Sequence, residues 1–268
     1  MKKLLTLLVL TFYASSIFAQ FITFNQGKIK QKHYLQEIPY QKTEGIPPIV
    51  QVTINGKMYN FIFDTGAPLT ISNKIYKELN LRNTININIK DAFGEVKKTK
   101  GILLPEIHLQ DITFRNTPGI IAPEEFSELA ECLGIDGIIG SNMLRNSVVQ
   151  FDDQNKQIII TDNIKKLSLQ TNTYQKMKLS FGQSNPYVFV TFPKGETDHN
   201  VLFDSGAANS FFTLSLNKLN GCVVDTIAES EGTSGIGMHG FSKKQKHLLL
   251  NIPELIVNNV IFGDVDKI

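Results

Sequence analysis

The sequence predicts an all-β protein built as two lobes related by a pseudo-twofold internal duplication. Strand-type segments recur with turn residues between them, and no long stretch keeps a helical period. Phe63-Asp64-Thr65-Gly66-Ala67 returns as Phe203-Asp204-Ser205-Gly206-Ala207, and the two aspartates are 204 − 64 = 140 residues apart. With 268 residues, 42% of them hydrophobic and 19% charged, the chain is long enough for two modest domains.

The first segment, residues 1–19, has the pattern of a secretory signal peptide. Met1-Lys2-Lys3 is charged, Leu4 to Phe18 is apolar, and Ala19 is a small residue at the expected cleavage site. An uncleaved anchor is the alternative, but the apolar stretch is shorter than the ~20 residues that a membrane-spanning helix needs. We therefore expect export to the periplasm or the extracellular space, with no stable membrane span after cleavage.

The first lobe is assigned to residues 20–165. Residues 20–45 are interpreted as a first strand, with a pro-segment over the cleft as the alternative. Alternating Ile49–Ile54, the hairpin turn Asn55-Gly56 and the returning Met58–Phe63 place Asp64 at a strand end. Three further elements are predicted: a helix over Ser72–Leu81 capped by Ser72, a helical turn at Ser141–Asn146, and a polar turn at Asp152–Asn155.

The second lobe is assigned to residues 166–268, after a linker at Lys165 to Gln175. Pro186–Phe192 followed by Asn200–Phe203 repeats the strand pair that leads to the first aspartate. Farther on, Leu104–Ile107 matches Ile252–Leu255 at a spacing of 253 − 105 = 148, so the second copy holds a small insertion, which falls in the Gly232 to Gly240 region.

The two repeated loops suit a pair of facing carboxyl groups. Gly66 and Gly206 let two backbones approach closely, because a glycine has no side chain. Thr65 and Ser205 supply hydroxyls that can bond across to the opposite loop. Two buried aspartates cannot both ionise, so Asp64 and Asp204 would share a proton and hold a water molecule. One could then accept a proton from the water while the other donates one.

These loops resemble the retropepsin-like branch of the pepsin-type aspartic peptidases, in a bacterial form with two fused lobes, over roughly Ile46 to the C-terminus. Gly137-Ile138-Ile139-Gly140 is similar to the family's hydrophobic-hydrophobic-Gly segment, which threads beneath the first catalytic loop. The resemblance implies a two-lobed acid-protease β-barrel fold, with Asp64 and Asp204 as the catalytic residues. The second copy of the hydrophobic segment would begin at or beyond residue 278, so we expect the second lobe to lack its closing portion. Three explanations stay open: the sequence is a fragment of a longer protein, the second lobe is degenerate, or a partner chain completes it.

The resemblance also implies hairpin flaps over the substrate. Chain order places them at Asp91–Gly94 and Gly237–Gly240, where glycines allow mobile turns. Phe93, Gly94, Met238 and His239 are the candidate substrate contacts, and an ordinary exposed turn is the alternative for each flap.

Other chemistries find little support in the sequence. The net charge is +2, and Lys243–Lys246 carries no interleaved aromatic residues, so no nucleic-acid partner is expected. The five histidines are dispersed, and we expect neither a metal nor any other cofactor. Gly235–Gly240 fits a dinucleotide-binding glycine pattern, but neither a buried strand before it nor a helix after it is predicted. Cys132 and Cys222 could form one bridge, although two small buried side chains are the favoured interpretation.

Three functions are compatible with the sequence. The leading hypothesis is an exported aspartic endopeptidase that cleaves peptide or protein substrates with a water activated by the two aspartates. The second is a catalytically inactive peptide-binding module with the same fold. The third is a homodimeric protease that uses only the first lobe, with Asp64 facing its symmetry mate.

Overall fold

The computed structural model describes residues 24–25, 27–43, 45–91, 94–169, 177–192, 197–207, 225–233, 236–238, 240–241, 243–257 and 260–265. The predicted signal peptide, Phe93, Cys222 and His239 lie outside the described residues. Strands dominate the described part of the chain, and the all-β prediction is confirmed. Buried apolar side chains form two separate clusters, one within residues 38–160 and one within residues 188–255, so each lobe has its own core.

The first lobe is built on one large mixed sheet and one small antiparallel sheet. In the large sheet the strands lie in the order β1-β9-β6-β10-β5-β4-β8-β7, with β3 beside β4, and the small sheet has the order β11-β12-β2. The strands of this lobe are β1 (Lys28–Ile29), β2 (Leu35–Pro39), β3 (Gln41–Thr43), β4 (Ile46–Ile54), β5 (Lys57–Asp64), β6 (Thr70–Ile71), β7 (Thr84–Lys90), β8 (Val96–Leu109), β9 (Ile112–Ile121), β10 (Gly137–Gly140), β11 (Val148–Asp152) and β12 (Gln157–Thr161).

The β4–β5 hairpin carries the first aspartate to its position. Asn55 and Gly56 have φ of 50° and 75°, as the predicted two-residue turn requires. Phe61 and Phe63 are fully buried on alternate positions of β5, and each such side chain contributes about 1.5–3 kcal/mol of burial free energy. Asp64 is the last residue of β5, so a rigid strand sets the place of its carboxyl group.

Strand β10 lies beside β5 and runs parallel to it, with Gly140 paired to Asp64. On its other edge, β10 pairs with β6, the strand that follows the first aspartate loop in the chain. There is no room for a side chain at its two glycines: a Cβ would lie 2.4 Å from the Thr70 carbonyl oxygen at Gly137 and 2.2 Å from the Pro68 carbonyl carbon at Gly140. The glycines therefore let this segment thread beneath the loop.

Three helices are described in the first lobe: α1 (Asn73–Glu78), α2 (Glu124–Cys132) and α3 (Ser141–Leu144). Helix α1 begins where predicted, and the hydroxyl of its N-cap Ser72 accepts from the amide of Ile75 at 3.3 Å. Helix α3 corresponds to the predicted turn at Ser141–Asn146. Sequence reasoning missed α2, although Phe126, Leu129 and Ala130 follow the i, i+3, i+4 spacing of an amphipathic helix.

The hairpins of the second lobe follow the same order along the chain as those of the first. Its main sheet has the order β13-β14-β19-β16, with β15 beside β14 and β20 beside β19, and β17 pairs with β18. The pair β14–β15 corresponds to β4–β5, and β16, β19 and β20 correspond to β7, β8 and β9. The strands are β13 (Lys178–Leu179), β14 (Pro186–Thr191), β15 (Thr197–Leu202), β16 (Asp225–Thr233), β17 (Ile236–Gly237), β18 (Gly240–Phe241), β19 (Lys244–Val257) and β20 (Val260–Val265).

The predicted insertion lies at the tip of a hairpin. β7 and β8 are joined by residues 91–95, whereas residues 234–243 join β16 and β19 and include the small β17–β18 pair. The second lobe also has a smaller core, centred on Val190, Ile252 and Leu255. Among its described strands none pairs with β15 as β10 pairs with β5.

Two further expectations concern the termini and the cysteines. Residues 28–43 form strands β1, β2 and β3 in the sheets of the first lobe, which favours the strand interpretation of residues 20–45 over a pro-segment. The expectation of a buried Cys132 is wrong, because this residue ends the solvent-facing helix α2 and is exposed. No helix of the described ranges is long and apolar enough to cross a membrane.

Candidate active site

The two aspartate loops meet between the lobes and have similar local geometry. The amide of Gly66 donates to Asp64 Oδ1 at 2.7 Å, and the amide of Gly206 donates to Asp204 Oδ1 at 2.8 Å. The loops differ at the next residue, because the amide of Ala67 also donates to Asp64 Oδ1, at 3.1 Å, whereas that of Ala207 donates to the Asp204 carbonyl oxygen. The carboxyl group of Asp64 therefore accepts one backbone hydrogen bond more than the carboxyl group of Asp204.

The hydroxyls of Thr65 and Ser205 tie each loop to the other. Thr65 Oγ1 donates to the Phe203 carbonyl oxygen at 2.5 Å and accepts from the Ser205 amide at 3.0 Å. Ser205 Oγ donates to the Phe63 carbonyl oxygen at 3.0 Å and accepts from the Thr65 amide at 3.1 Å. The four bonds form a symmetric set across the lobe boundary, and the sequence predicted both hydroxyls for this role.

The glycines set the distance between the loops. A Cβ on Gly206 would lie 2.2 Å from Asp64 Cγ, and one on Gly66 would lie 2.6 Å from Asp204 Oδ2. No side chain fits at either position, because real Cβ contacts are not that short. Each aspartate thus packs directly on the backbone of the opposite loop, which is why the motif needs glycine after Thr65 and Ser205.

The rings of three phenylalanine residues, Phe63, Phe151 and Phe203, are in contact in that order and connect the two loops. The rings of Phe63 and Phe151 meet edge to face with centroids 5.7 Å apart, and those of Phe151 and Phe203 lie 6.0 Å apart. Phe63 and Phe203 are the residues just before the two aspartates. Phe151 of β11 therefore connects the lobes through contacts of the kind that contribute about 0.5–1.5 kcal/mol each.

The carboxyl groups of Asp64 and Asp204 face one another closely enough for a hydrogen bond, which forms only when one of the two carries a proton. Burial, the facing charge of Asp204 and this hydrogen bond raise the pKa of Asp64 from 3.8 to about 8, while the amides of Gly66 and Ala67 act in the opposite direction. The apparent pKa values belong to the pair rather than to one residue. At neutral pH such a pair can carry one negative charge and one proton, which is the state that acid–base catalysis on a water molecule needs.

The support beneath the Asp64 loop comes from α3 and β10. The amide and hydroxyl of Ser141 donate to the Ala67 carbonyl oxygen at 3.0 and 3.3 Å. The buried Asn142 accepts from the Leu69 amide at 2.8 Å and donates to the Pro118 carbonyl oxygen at 2.7 Å. Sequence reasoning did not single out these two residues, although their position directly after Gly137–Gly140 is a signal that could have identified them.

A turn of the second lobe, Ser180–Asn185, also reaches this loop. Gln183 Nε2 and Asn185 Nδ2 donate to the Gly66 carbonyl oxygen at 3.1 and 2.7 Å. Ser184 Oγ accepts from Arg145 Nη1 at 3.0 Å and donates to Asn25 Oδ1 at 2.6 Å. The sequence pattern gave no sign of these contacts, because they join residues more than 115 positions apart at Gly66 and nearly 160 apart at Asn25.

The flap candidates are only partly described. Gly94 has φ of 85° in the turn between β7 and β8, where its amide donates to the Asp91 carbonyl oxygen at 3.0 Å. Met238 is half-buried in the turn between β17 and β18. Both hairpins exist where chain order predicted them, whereas substrate contact stays a prediction for the described pair and for Phe93 and His239. Among the described residues no cluster of His, Cys, Asp and Glu is arranged to hold a metal ion.

A family model and a solved structure are similar to parts of this chain. Residues 50–146 match the family model described as "gag-polyprotein putative aspartyl protease". Among solved structures, the crystal structure of a retropepsin-like aspartic protease from Rickettsia conorii is similar, at 16% sequence identity and a TM-score of 0.34, over 49% of this chain and 94% of that chain. No curated protein sequence matches this chain. The matched residues 50–146 contain Asp64 and the β10 segment beneath it, and this part of the chain is therefore similar to that aspartyl protease family.

Proposed function

We propose that this chain is an exported aspartic endopeptidase whose active site is formed by Asp64 and Asp204 of one polypeptide. The observation that carries the proposal is the pair of facing aspartate loops, held close together by Gly66 and Gly206 and by the reciprocal bonds of Thr65 and Ser205 across the lobe boundary. Such a pair needs no covalent intermediate, since a bound water is the nucleophile.

In the proposed reaction, the ionised member of the pair accepts a proton from the water as the water attacks the scissile carbonyl carbon. The protonated member donates to the carbonyl oxygen, which gives a tetrahedral intermediate with two hydroxyl groups. This intermediate collapses as the carboxyl group that took the water's proton donates it to the amide nitrogen, the other carboxylate takes a proton from one hydroxyl, and the C–N bond breaks. The backbone N–H groups at Gly66, Ala67 and Gly206 hold the carboxylate oxygens in place, so little reorganisation is needed in the transition state.

The substrate is proposed to be an extended peptide that lies between the lobes, under the hairpins β7–β8 and β16–β19. Export is proposed from residues 1–19, whose charged start, apolar middle and small-residue end are typical of a signal peptide.

The single-chain site is favoured over a first-lobe homodimer by the partners of the Asp64 loop. Thr65 and Gly66 are bonded by Ser205, Phe203, Gln183 and Asn185, all from the second lobe. A homodimer of first lobes would have to replace these partners. The endopeptidase is likewise favoured over an inactive binding module, because the Gly206 amide holds Asp204 Oδ1 just as the Gly66 amide holds Asp64 Oδ1.

The test is to replace each aspartate by asparagine and to measure hydrolysis of an unstructured protein substrate. Asp64→Asn and Asp204→Asn should each abolish cleavage, whereas the control Asp111→Asn, at an exposed turn, should keep it. Circular dichroism and urea unfolding would establish that all three variants fold. Activity that survives in Asp204→Asn and rises steeply with protein concentration would indicate the homodimer instead.

The inactive binding module has its own signature. A peptide with a hydroxyl group in place of the scissile carbonyl should bind a competent site far more tightly than the matching substrate peptide, because it resembles the transition state. Equal affinity for both peptides, together with no cleavage by the wild-type chain, would overturn the endopeptidase proposal.

A further inference from the structure

The turn Ser180–Asn185 of the second lobe bonds to one particular peptide group of the first lobe. Asn185 Nδ2 and Gln183 Nε2 both donate to the carbonyl oxygen of Gly66. The N–H of that same peptide group belongs to Ala67, and it donates to Asp64 Oδ1 at 3.1 Å. A chain of hydrogen bonds thus runs from two second-lobe amides, through a single peptide plane, to the catalytic carboxylate.

The orientation of both amide side chains follows from their partners. A carbonyl oxygen can only accept, so the atoms that face Gly66 must be N–H donors. Asn185 Oδ1 in turn accepts from Ser180 Oγ at 3.2 Å, and Ser180 Oγ accepts from the Asn185 amide at 2.9 Å. These bonds hold the Asn185 side chain in place within its own turn, so that its Nδ2 is presented to Gly66.

We propose that Asn185 and Gln183 are positioning residues that fix and polarise the Gly66–Ala67 peptide group and so act on the Asp64 carboxylate from the opposite lobe. The proposal deepens the function proposed above and rests on it. A peptide whose carbonyl accepts hydrogen bonds is a stronger N–H donor, because hydrogen bonds in a chain polarise one another. The two amides therefore strengthen the Ala67 bond to the ionised form of Asp64.

Among the described residues, Asp204 is the ionisable group that faces Asp64, and Arg145 donates to Ser184 Oγ in the turn. Loss of the Asn185 amide should weaken the Ala67 bond and raise the pKa of the aspartate pair. Since cooperative strengthening is about 10–30% of a charge-assisted hydrogen bond, the expected rise is roughly 0.1–0.6 pH unit.

The test compares Asn185→Ala with Ser184→Gly. Ser184→Gly removes the hydroxyl that bonds Arg145 and Asn25, suits the φ of 66° at this position, and leaves both donors to Gly66 in place. The pH dependence of kcat/KM reports the free enzyme. Its basic limb should move to higher pH in Asn185→Ala, and it should stay at the wild-type pH in Ser184→Gly even where that variant loses stability.

A second readout separates this inference from the proposed endopeptidase. Titration of ¹³C-labelled aspartate carboxyl groups by NMR reports the pair directly, whether or not the chain hydrolyses peptides. A pair that titrates higher in Asn185→Ala supports the positioning role even if hydrolysis is absent, in which case only the endopeptidase proposal fails. No upward shift in Asn185→Ala, or an equal shift in Ser184→Gly, would overturn the inference. If Asn185→Ala does not fold, Gln183→Ala removes the longer of the two bonds and should give a smaller shift in the same direction.

Discussion

Replacement of Thr65 by valine tests the bonds that hold the two aspartate loops together. Valine has nearly the shape of threonine but no hydroxyl, so Thr65→Val removes the donor to the Phe203 carbonyl oxygen and the acceptor for the Ser205 amide. The side chain is buried, with 6% of Thr65 exposed, so packing is preserved while two hydrogen bonds are lost.

The expected loss follows from those two bonds. At about 0.5–1.5 kcal/mol for each hydrogen bond, Thr65→Val should lower the free energy of unfolding by about 1–3 kcal/mol if water reaches the freed groups. If the Phe203 carbonyl and the Ser205 amide both stay dry, each instead costs its full desolvation penalty of about 1–3 kcal/mol, and the total loss is about 2–6 kcal/mol. A loop displaced by about 1 Å would also lower the catalytic rate about 10²-fold.

The assay is urea unfolding together with steady-state hydrolysis, with Thr65→Ser as the matched control. Serine keeps the hydroxyl and loses only a methyl group, so Thr65→Ser should keep most of the activity. If Thr65→Val were as stable and as active as Thr65→Ser, the bonds across the lobe boundary would contribute nothing measurable, and our account of how the site is held would be refuted.

Two further predictions concern the ionisation of the pair and its close packing. The pKa of Asp64 is about 8 in the folded chain and near 3.8 in the unfolded chain, so the contribution of Asp64 to the free energy of unfolding is fully present below pH 4. That contribution decreases as the pH rises and is lost once the pH has risen through 8. Asparagine is neutral at every pH, so the urea midpoint of Asp64→Asn should rise relative to that of the wild type between pH 4 and pH 8. If the two midpoints instead changed in parallel with pH, the raised pKa would be contradicted. Gly206→Ala would place a Cβ 2.2 Å from Asp64 Cγ and should abolish hydrolysis. The control Gly263→Ala should keep hydrolysis, because a Cβ at that position meets nothing within 4 Å. An active Gly206→Ala variant would show that the loops are not packed this closely.

The elements that sequence reasoning predicted are those with a local signal. The hairpin into Asp64 was predictable from alternation and from Asn55-Gly56, and helix α1 from its Ser72 cap. The repeat of Leu104–Ile107 at Ile252–Leu255 anticipated that β8 and β19 are equivalent strands of 14 residues each. In each case the residues that determine the structure are neighbours in the chain.

The features that were missed depend on contacts between distant residues. Nothing near Gln183 or Asn185 shows that their amides bond to Gly66, because the partner lies in the other lobe. Cys132 was expected to be buried from its residue type, yet its helix packs mainly through Ala130 and leaves the thiol in solvent. Tertiary packing decides such positions, and a single sequence carries little information about it.

The reciprocal bonds of Thr65 and Ser205 join residues 140 positions apart, whereas each lobe has a core of its own. Contacts of such high sequence separation form late in folding, since the chain must first lose the entropy of a long loop. These bonds would break in a partial opening, in which the two lobes separate while the core of each lobe stays folded. Heat or mild denaturant should therefore inactivate the protein before its strands melt, and cooling should restore function without refolding of either half.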